Sequence, residues 1–172
     1  MQSDYTEINP LQLVPVLSLD EHRLTEVVAI LYYLADLNPA AQLAPPPGSL
    51  QRARSYQWCS FLGTSVHVAF RQIWRPARFC HSPEIHPALV ESGRQAVDRY
   101  YDMIEKRLGT DPYVLGSTYT LCDAYLFVFY RWGNRIKKPM RDLYPIWTQH
   151  AERMLSRPAV QRAMIQEGIT IE

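Results

Sequence analysis

Cysteine is scarce in this chain, glycine is outnumbered by proline, and neither sign of charge prevails. The three cysteines, Cys59, Cys80 and Cys122, lie far apart and form no CxxC pair. That pattern fits neither a disulfide framework nor a zinc site, and a reducing compartment is its simplest reading. No apolar run approaches the ~18 residues that a bilayer-crossing helix needs, and the opening stretch already carries Asp4 and Glu7. The expectation is a soluble, cytoplasmic protein with no membrane association. Eighteen Lys and Arg against 17 Asp and Glu leave a formal charge of +1, so no global field draws the chain to nucleic acid. There is no G-x-S-x-G elbow and no phosphate-cradling glycine loop, and His81 and His86 are badly spaced for two ligands on one helix face. Neither a metal nor a nucleotide cofactor is indicated.

With 47% apolar and 20% charged residues, the 172-residue chain has the composition of a folded domain, or of one domain with a small appendage. Thirteen prolines against seven glycines predict short helices with firm stops rather than flexible linkers. Residues 13–19 read as an apolar strand, Asp20-Glu21 as a tight turn and residues 22–24 as the returning strand. From Thr25 the spacing turns helical, with Val27, Ile30, Leu31, Leu34 and Leu37 recurring until Asn38-Pro39. A two-stranded hairpin is marginal alone, so this β-β-α piece needs a packed partner. Residues 42–49, with three successive prolines, form a stiff linker. Five helices follow, over residues 50–75, 87–108, 121–136, 143–155 and 159–166. The predicted organisation is residues 1–41, the linker 42–49, and an all-helical region over 50–172. The fold class is mainly α.

The segment from Leu121 to Trp132 is apolar almost all round, which marks the central helix. Thr120 followed by Asp123 has the spacing of a capping box, with Asp in place of the usual Glu or Gln.

Two stretches carry a family resemblance. Asn9-Pro10-Leu11-Gln12-Leu13-Val14-Pro15-Val16-Leu17, with the later run Leu24-Thr25-Glu26-Val27-Val28-Ala29-Ile30-Leu31, resembles the second half of the thioredoxin-like domain of glutathione S-transferases. Gly116-Ser117-Thr118-Tyr119-Thr120-Leu121-Cys122-Asp123-Ala124 resembles the family's capped core helix, and Arg157-Pro158-Ala159-Val160 its terminal one. The bacterial beta class is the nearest branch. The resemblance implies glutathione as substrate, a small apolar electrophile as its acceptor, and a homodimer.

It also implies a site. A proline at Pro15 leaves the main-chain groups of Val14 free to pair with an extended ligand, and in the family that residue holds the cysteinyl part of glutathione. At the next helix start the family usually reads Glu-Ser, which holds the glutamyl end; here Glu26 is followed by Val27, so a hydroxyl donor is lost. Ser60, His67, Arg71 and Trp74 share one face of an unbroken helix. The segment 65–70 resembles the beta-class stretch whose histidine reaches the thiol, although Val68 stands where the family has Lys. His67 is thus the candidate catalytic residue, with Phe70 and Trp74 bounding an aromatic cleft.

The family's first β-α-β unit takes ~30 residues or more, and only eight residues precede Asn9. Its thiol-activating Cys, Ser or Tyr has no counterpart in this sequence, and neither Cys59 nor Cys122 is a clear substitute. Two readings stay open: a transferase with reduced activity, and a non-catalytic binding or assembly module of the same fold.

Overall fold

The computed structural model describes residues 5–172. A short helix α1 (Tyr5–Ile8), absent from the sequence-based expectation, precedes the hairpin. The hairpin pairs β1 (Leu17–Leu19) with β2 (His22–Leu24) antiparallel, Leu17 opposite Leu24. The first strand is therefore shorter than the predicted 13–19. Gln12 at φ 51° and the cis Val14-Pro15 bond bend residues 12–15 out of extended pairing. Helix α2 (Val27–Leu37) starts two residues later than predicted, because Glu26 sits at φ 67° and cannot join it.

Residues 42–49 are docked rather than free. The Leu121 amide donates to the Leu43 carbonyl at 2.8 Å, and Ser49 caps α3 (Leu50–Phe61) by accepting from the Arg52 amide. Arg52, only 3% exposed, ties the two regions together. Its guanidinium donates to both carboxylate oxygens of Asp36 on α2, at 3.0 and 2.7 Å, and to the Pro45 carbonyl at 3.0 Å. It also stacks over the Tyr32 ring at 4.5 Å. The paired guanidinium holds the Asp36 carboxyl below its usual range.

The predicted helix over 50–75 is interrupted. After α3 comes a π-helical turn (Leu62–Val66), then α4 (His67–Trp74). A turn closed at i+5 holds one extra residue, so residues beyond it rotate by roughly 100° against those before. Helix α5 (His86–Leu108) lies against α4, and Gly93 permits the approach: a Cβ there would stand 2.8 Å from the Ala69 carbonyl oxygen.

Helix α6 (Leu121–Arg135) is the predicted central helix, with Leu121, Leu126, Phe129 and Tyr130 among its buried residues. Val128, 38% exposed, is an exception to its enclosure. The predicted capping box forms: the Asp123 carboxylate accepts from the Thr120 amide at 2.7 Å and its hydroxyl at 3.1 Å. It also receives the Val114 amide at 2.8 Å and His150 Nε2 at 2.9 Å. The predicted helix 143–155 forms as α8 (Pro145–Leu155), preceded by a short helix α7 (Met140–Leu143) that was not expected; the two are separate because Pro145 cannot continue the preceding turn. Glu105 of α5 accepts the free Ile146 and Trp147 amides at the start of α8. Helix α9 (Pro158–Glu167) closes the bundle. Among the described residues, no helix is long and apolar enough to cross a membrane.

Candidate functional site

The loop before β1 is held by side chains rather than by a strand partner. Asn9, 4% exposed, donates from Nδ2 to the Leu13 carbonyl at 2.7 Å and accepts the Leu11 amide on Oδ1 at 3.0 Å. The Tyr5 hydroxyl donates to the same Leu13 carbonyl at 3.0 Å. Anchored this way, the loop presents Val14, 79% exposed, just before the cis bond to Pro15. Neither main-chain group of Val14 has a hydrogen-bond partner among the described residues. Asn9 belongs to the sequence motif, yet its anchoring role was not read from it. An Asn bonding two and four residues onward is the signal.

Glu26 is exposed and occupies a sparsely populated backbone region that costs energy to hold. Its carbonyl accepts the Ile30 amide at 3.0 Å, while the amides of Val27, Val28 and Ala29 at the helix start have no partner among the described residues. This end carries the positive pole of the helix dipole and suits a carboxylate.

His67, Arg71 and Trp74 share one face of α4, but Ser60 does not join them. The π turn rotates Ser60 away, and it stands exposed on the far side of that turn. Helix α6 supplies the partner surface that the sequence reading missed. The His67 ring centroid lies 5.2 Å from Trp132 and 6.4 Å from Phe129, and Trp74 lies 5.0 Å from Trp132. Residues 125, 129 and 132 follow helical spacing, so this aromatic stripe was present in the sequence but not assigned. Phe70 is fully buried beneath it, 4.9 Å from Trp74 and 5.2 Å from Trp132. Phe70 is therefore part of the core beneath this aromatic surface, whereas Trp74 is 39% exposed. Arg135 stands over the Trp74 ring at 5.8 Å.

Burial lowers the pKa of His67 from 6.5, the Arg71 charge lowers it further, and the Glu26 carboxylate opposes both. The imidazole is therefore neutral at pH 7, and it has no hydrogen-bond partner among the described residues. The Tyr125 phenol, also within the field of Glu26, is buried without a hydrogen-bond partner, and burial pushes its pKa up to about 12. Each of these places has its own chemistry: main-chain pairing at Val14, a helix end suited to a carboxylate at Val27, a neutral imidazole one turn from Arg71, and an apolar aromatic surface at Trp74 and Trp132.

A pH dependence follows. The folded state resists protonating His67 while the unfolded chain does not, so above pH 6.5 no penalty exists. As the pH falls below 6.5 toward the lower folded value, the unfolded state gains protons first and stability declines. The melting temperature of a His67→Phe variant is expected to fall less than that of the parent over this interval. Parallel curves would show that the imidazole is not resisting protonation.

A groove of about 800 Å³ lies between the linker and the 115–120 loop, lined in part by Leu43, Pro45, Leu115 and Thr118. It contains none of the predicted site residues. Among the described residues, no group of three or more His, Cys, Asp or Glu side chains could hold a metal ion.

Comparison with known proteins points to one family. A family model for the glutathione S-transferase C-terminal domain matches residues 71–158, and one for the N-terminal domain matches residues 1–36. The chain is 34% identical over 167 residues to glutathione S-transferase GstA of Escherichia coli O157:H7, covering 96% of this chain and 79% of that one. A bacterial beta-class glutathione S-transferase from Sphingomonas chungbukensis superposes with a TM-score of 0.85 at 34% identity, over 97% of this chain and 80% of that one. A sphingomonad glutathione S-transferase complexed with glutathione gives 0.84 at 35% identity, over 97% and 80%.

Proposed function

The chain belongs to the glutathione S-transferase family, and from that premise we propose that it binds glutathione and transfers it to a small apolar electrophile. The observation that carries this reading is the unpartnered main chain of Val14, offered beside Pro15 as one rung of a ladder for an extended peptide. The cysteinyl part of glutathione pairs there. Its glutamyl carboxylate takes the free amides at the start of α2, with Glu26 receiving the ammonium group. The thiol faces His67 and Arg71, and the electrophile rests on the exposed side of Trp74 and Trp132.

Each group then has a task. Arg71 and the imidazole N–H of His67 favour the thiolate over the thiol, because a nearby cation and a donor both stabilise sulfur's negative charge. The thiolate attacks the electrophilic carbon, a carbon–sulfur bond forms, and the leaving group departs with the electron pair of the bond it breaks. The thiol proton passes to solvent. The apolar wall excludes water and holds the electrophile, which raises the encounter of the two reactants rather than changing their chemistry.

Val27 supplies the sharpest test of the glutathione pose. With no hydroxyl at this position, only main-chain amides serve the glutamyl carboxylate. A Val27→Ser variant adds one hydrogen bond to a charged group, and its glutathione affinity by titration calorimetry is expected to rise about tenfold. An unchanged affinity would remove the glutamyl end from this helix start. Turnover of an activated aryl halide with glutathione, abolished or strongly reduced in His67→Ala, supports a transferase. Binding without turnover supports the second reading, a non-catalytic module of the same fold. The homodimer and the cytoplasmic setting belong to the same proposal, and a monomeric mass in solution would argue against the first of these.

A further inference from the structure

Cys59 on α3 and Cys122 on α6 are 63 residues apart in the chain, yet their sulfurs lie 3.5 Å from each other. Both are completely buried. They do not sit in a purely apolar core: Ser55 Oγ lies 3.1 Å from the Cys122 sulfur, the Tyr32 hydroxyl 3.9 Å from that of Cys59, and Tyr32 and Ser55 share a hydrogen bond. A disulfide joins sulfurs at about 2.05 Å, so closing this gap takes about 1.5 Å, within reach of side-chain rotation on two neighbouring helices. We propose that Cys59 and Cys122 are an oxidative modification site, forming an intrachain disulfide when a hydroperoxide is present.

The two thiols are unequal. Cys122 is the second residue of α6, where helix amides favour negative charge. Its sulfur lies against the Cys59 sulfur and the Ser55 hydroxyl, and its thiol reaches the Ser55 carbonyl at 3.5 Å; the contact with Cys59 lowers the pKa of Cys122 and raises that of Cys59. Cys122, the more acidic of the two, gives up its proton and attacks the peroxide first. Its sulfur takes one oxygen as a sulfenic acid, the O–O bond breaks, and water, or the alcohol of an organic peroxide, leaves. The Cys59 sulfur then attacks the sulfenic sulfur, forming the S–S bond and releasing a second water. Two electrons and two protons pass from the dithiol to the peroxide, and an external thiol reverses the change. Cys80, half-buried, lacks a sulfur partner among the described residues and stands outside the pair.

Neither cysteine is among the residues proposed to hold glutathione, so the test reads out the sulfurs alone. The test uses the full chain as Cys80→Ser or, should that variant fold poorly, the parent protein with Cys80 first alkylated in the native state. After treatment with hydrogen peroxide the intact mass is expected to fall by about 2 Da relative to the reduced protein, with both thiols lost to alkylation after unfolding. A non-reducing digest should yield one Cys59–Cys122 peptide pair that dithiothreitol separates. With Cys59→Ser the mass loss should vanish, and Cys122 should be trapped as its sulfenic acid by dimedone. Two thiols still alkylatable after peroxide, oxygen added to Cys122 without a link, or a link between two chains would each overturn the proposal.

Discussion

Asp123→Ala is expected to cost about 3–5 kcal/mol of stability, the range for removing one partner from a buried charged network. A carboxylate that is fully buried receives two amides, a hydroxyl and an imidazole from three separate places in the chain. Alanine leaves the Val114 and Thr120 amides and His150 Nε2 without an acceptor, and each buried orphan costs about 1–3 kcal/mol. Domains of this kind have about 5–15 kcal/mol in total, so the variant loses a large share of its folded margin. Thr120→Ala, which keeps the Asp123 acceptor in place, is expected to lose only about 1 kcal/mol. Denaturant midpoints for the two variants check the contrast. Equal losses would mean that the box acts as a local cap and not as the joint between the 114 loop, α6 and α8.

Phe70→Ala has the second large effect. Its ring is wholly buried among Trp74, Tyr101, Phe129 and Trp132, with centroids 4.9 to 6.4 Å away. Deleting it opens a cavity under the cleft and costs about 3–5 kcal/mol. Trp74→Ala removes a larger ring from a position 39% exposed, so its stability loss is expected to be less than half of that. The functional order reverses: Trp74→Ala should raise the KM for the apolar co-substrate while leaving glutathione affinity in place. Comparable stability losses from the two variants would show that Trp74 is a core residue and would weaken its assignment to the cleft.

The sequence carried much of the fold and a smaller part of the site. Every long helix was visible in apolar spacing, and the Thr120–Asp123 box in a three-residue interval, because both depend on near neighbours along the chain. The π turn at Leu62–Val66 escaped, since Leu62 and Val66, both buried, fit an ordinary helical stripe equally well. That single extra residue removed Ser60 from the face of His67. Pro145 carried the signal for the α7–α8 break, but an apolar spacing running through it masked the stop. Phe70 was read as bounding an aromatic cleft together with Trp74 and is fully buried, because spacing gives the face of a helix and not the depth to which a neighbour covers it.

From the sequence alone came the family resemblance, the all-helical region, the central α6 and the exposed Val14-Pro15 step. These are properties of short segments, set by side-chain period, caps and turn chemistry. Tertiary structure alone decided that Arg52 clamps Asp36 and the linker, that Trp132 packs against His67 and Trp74, and that Cys59 meets Cys122. Such meetings depend on how helices stack and rotate against one another, and that rotation is a sum over the whole core rather than a property of any segment.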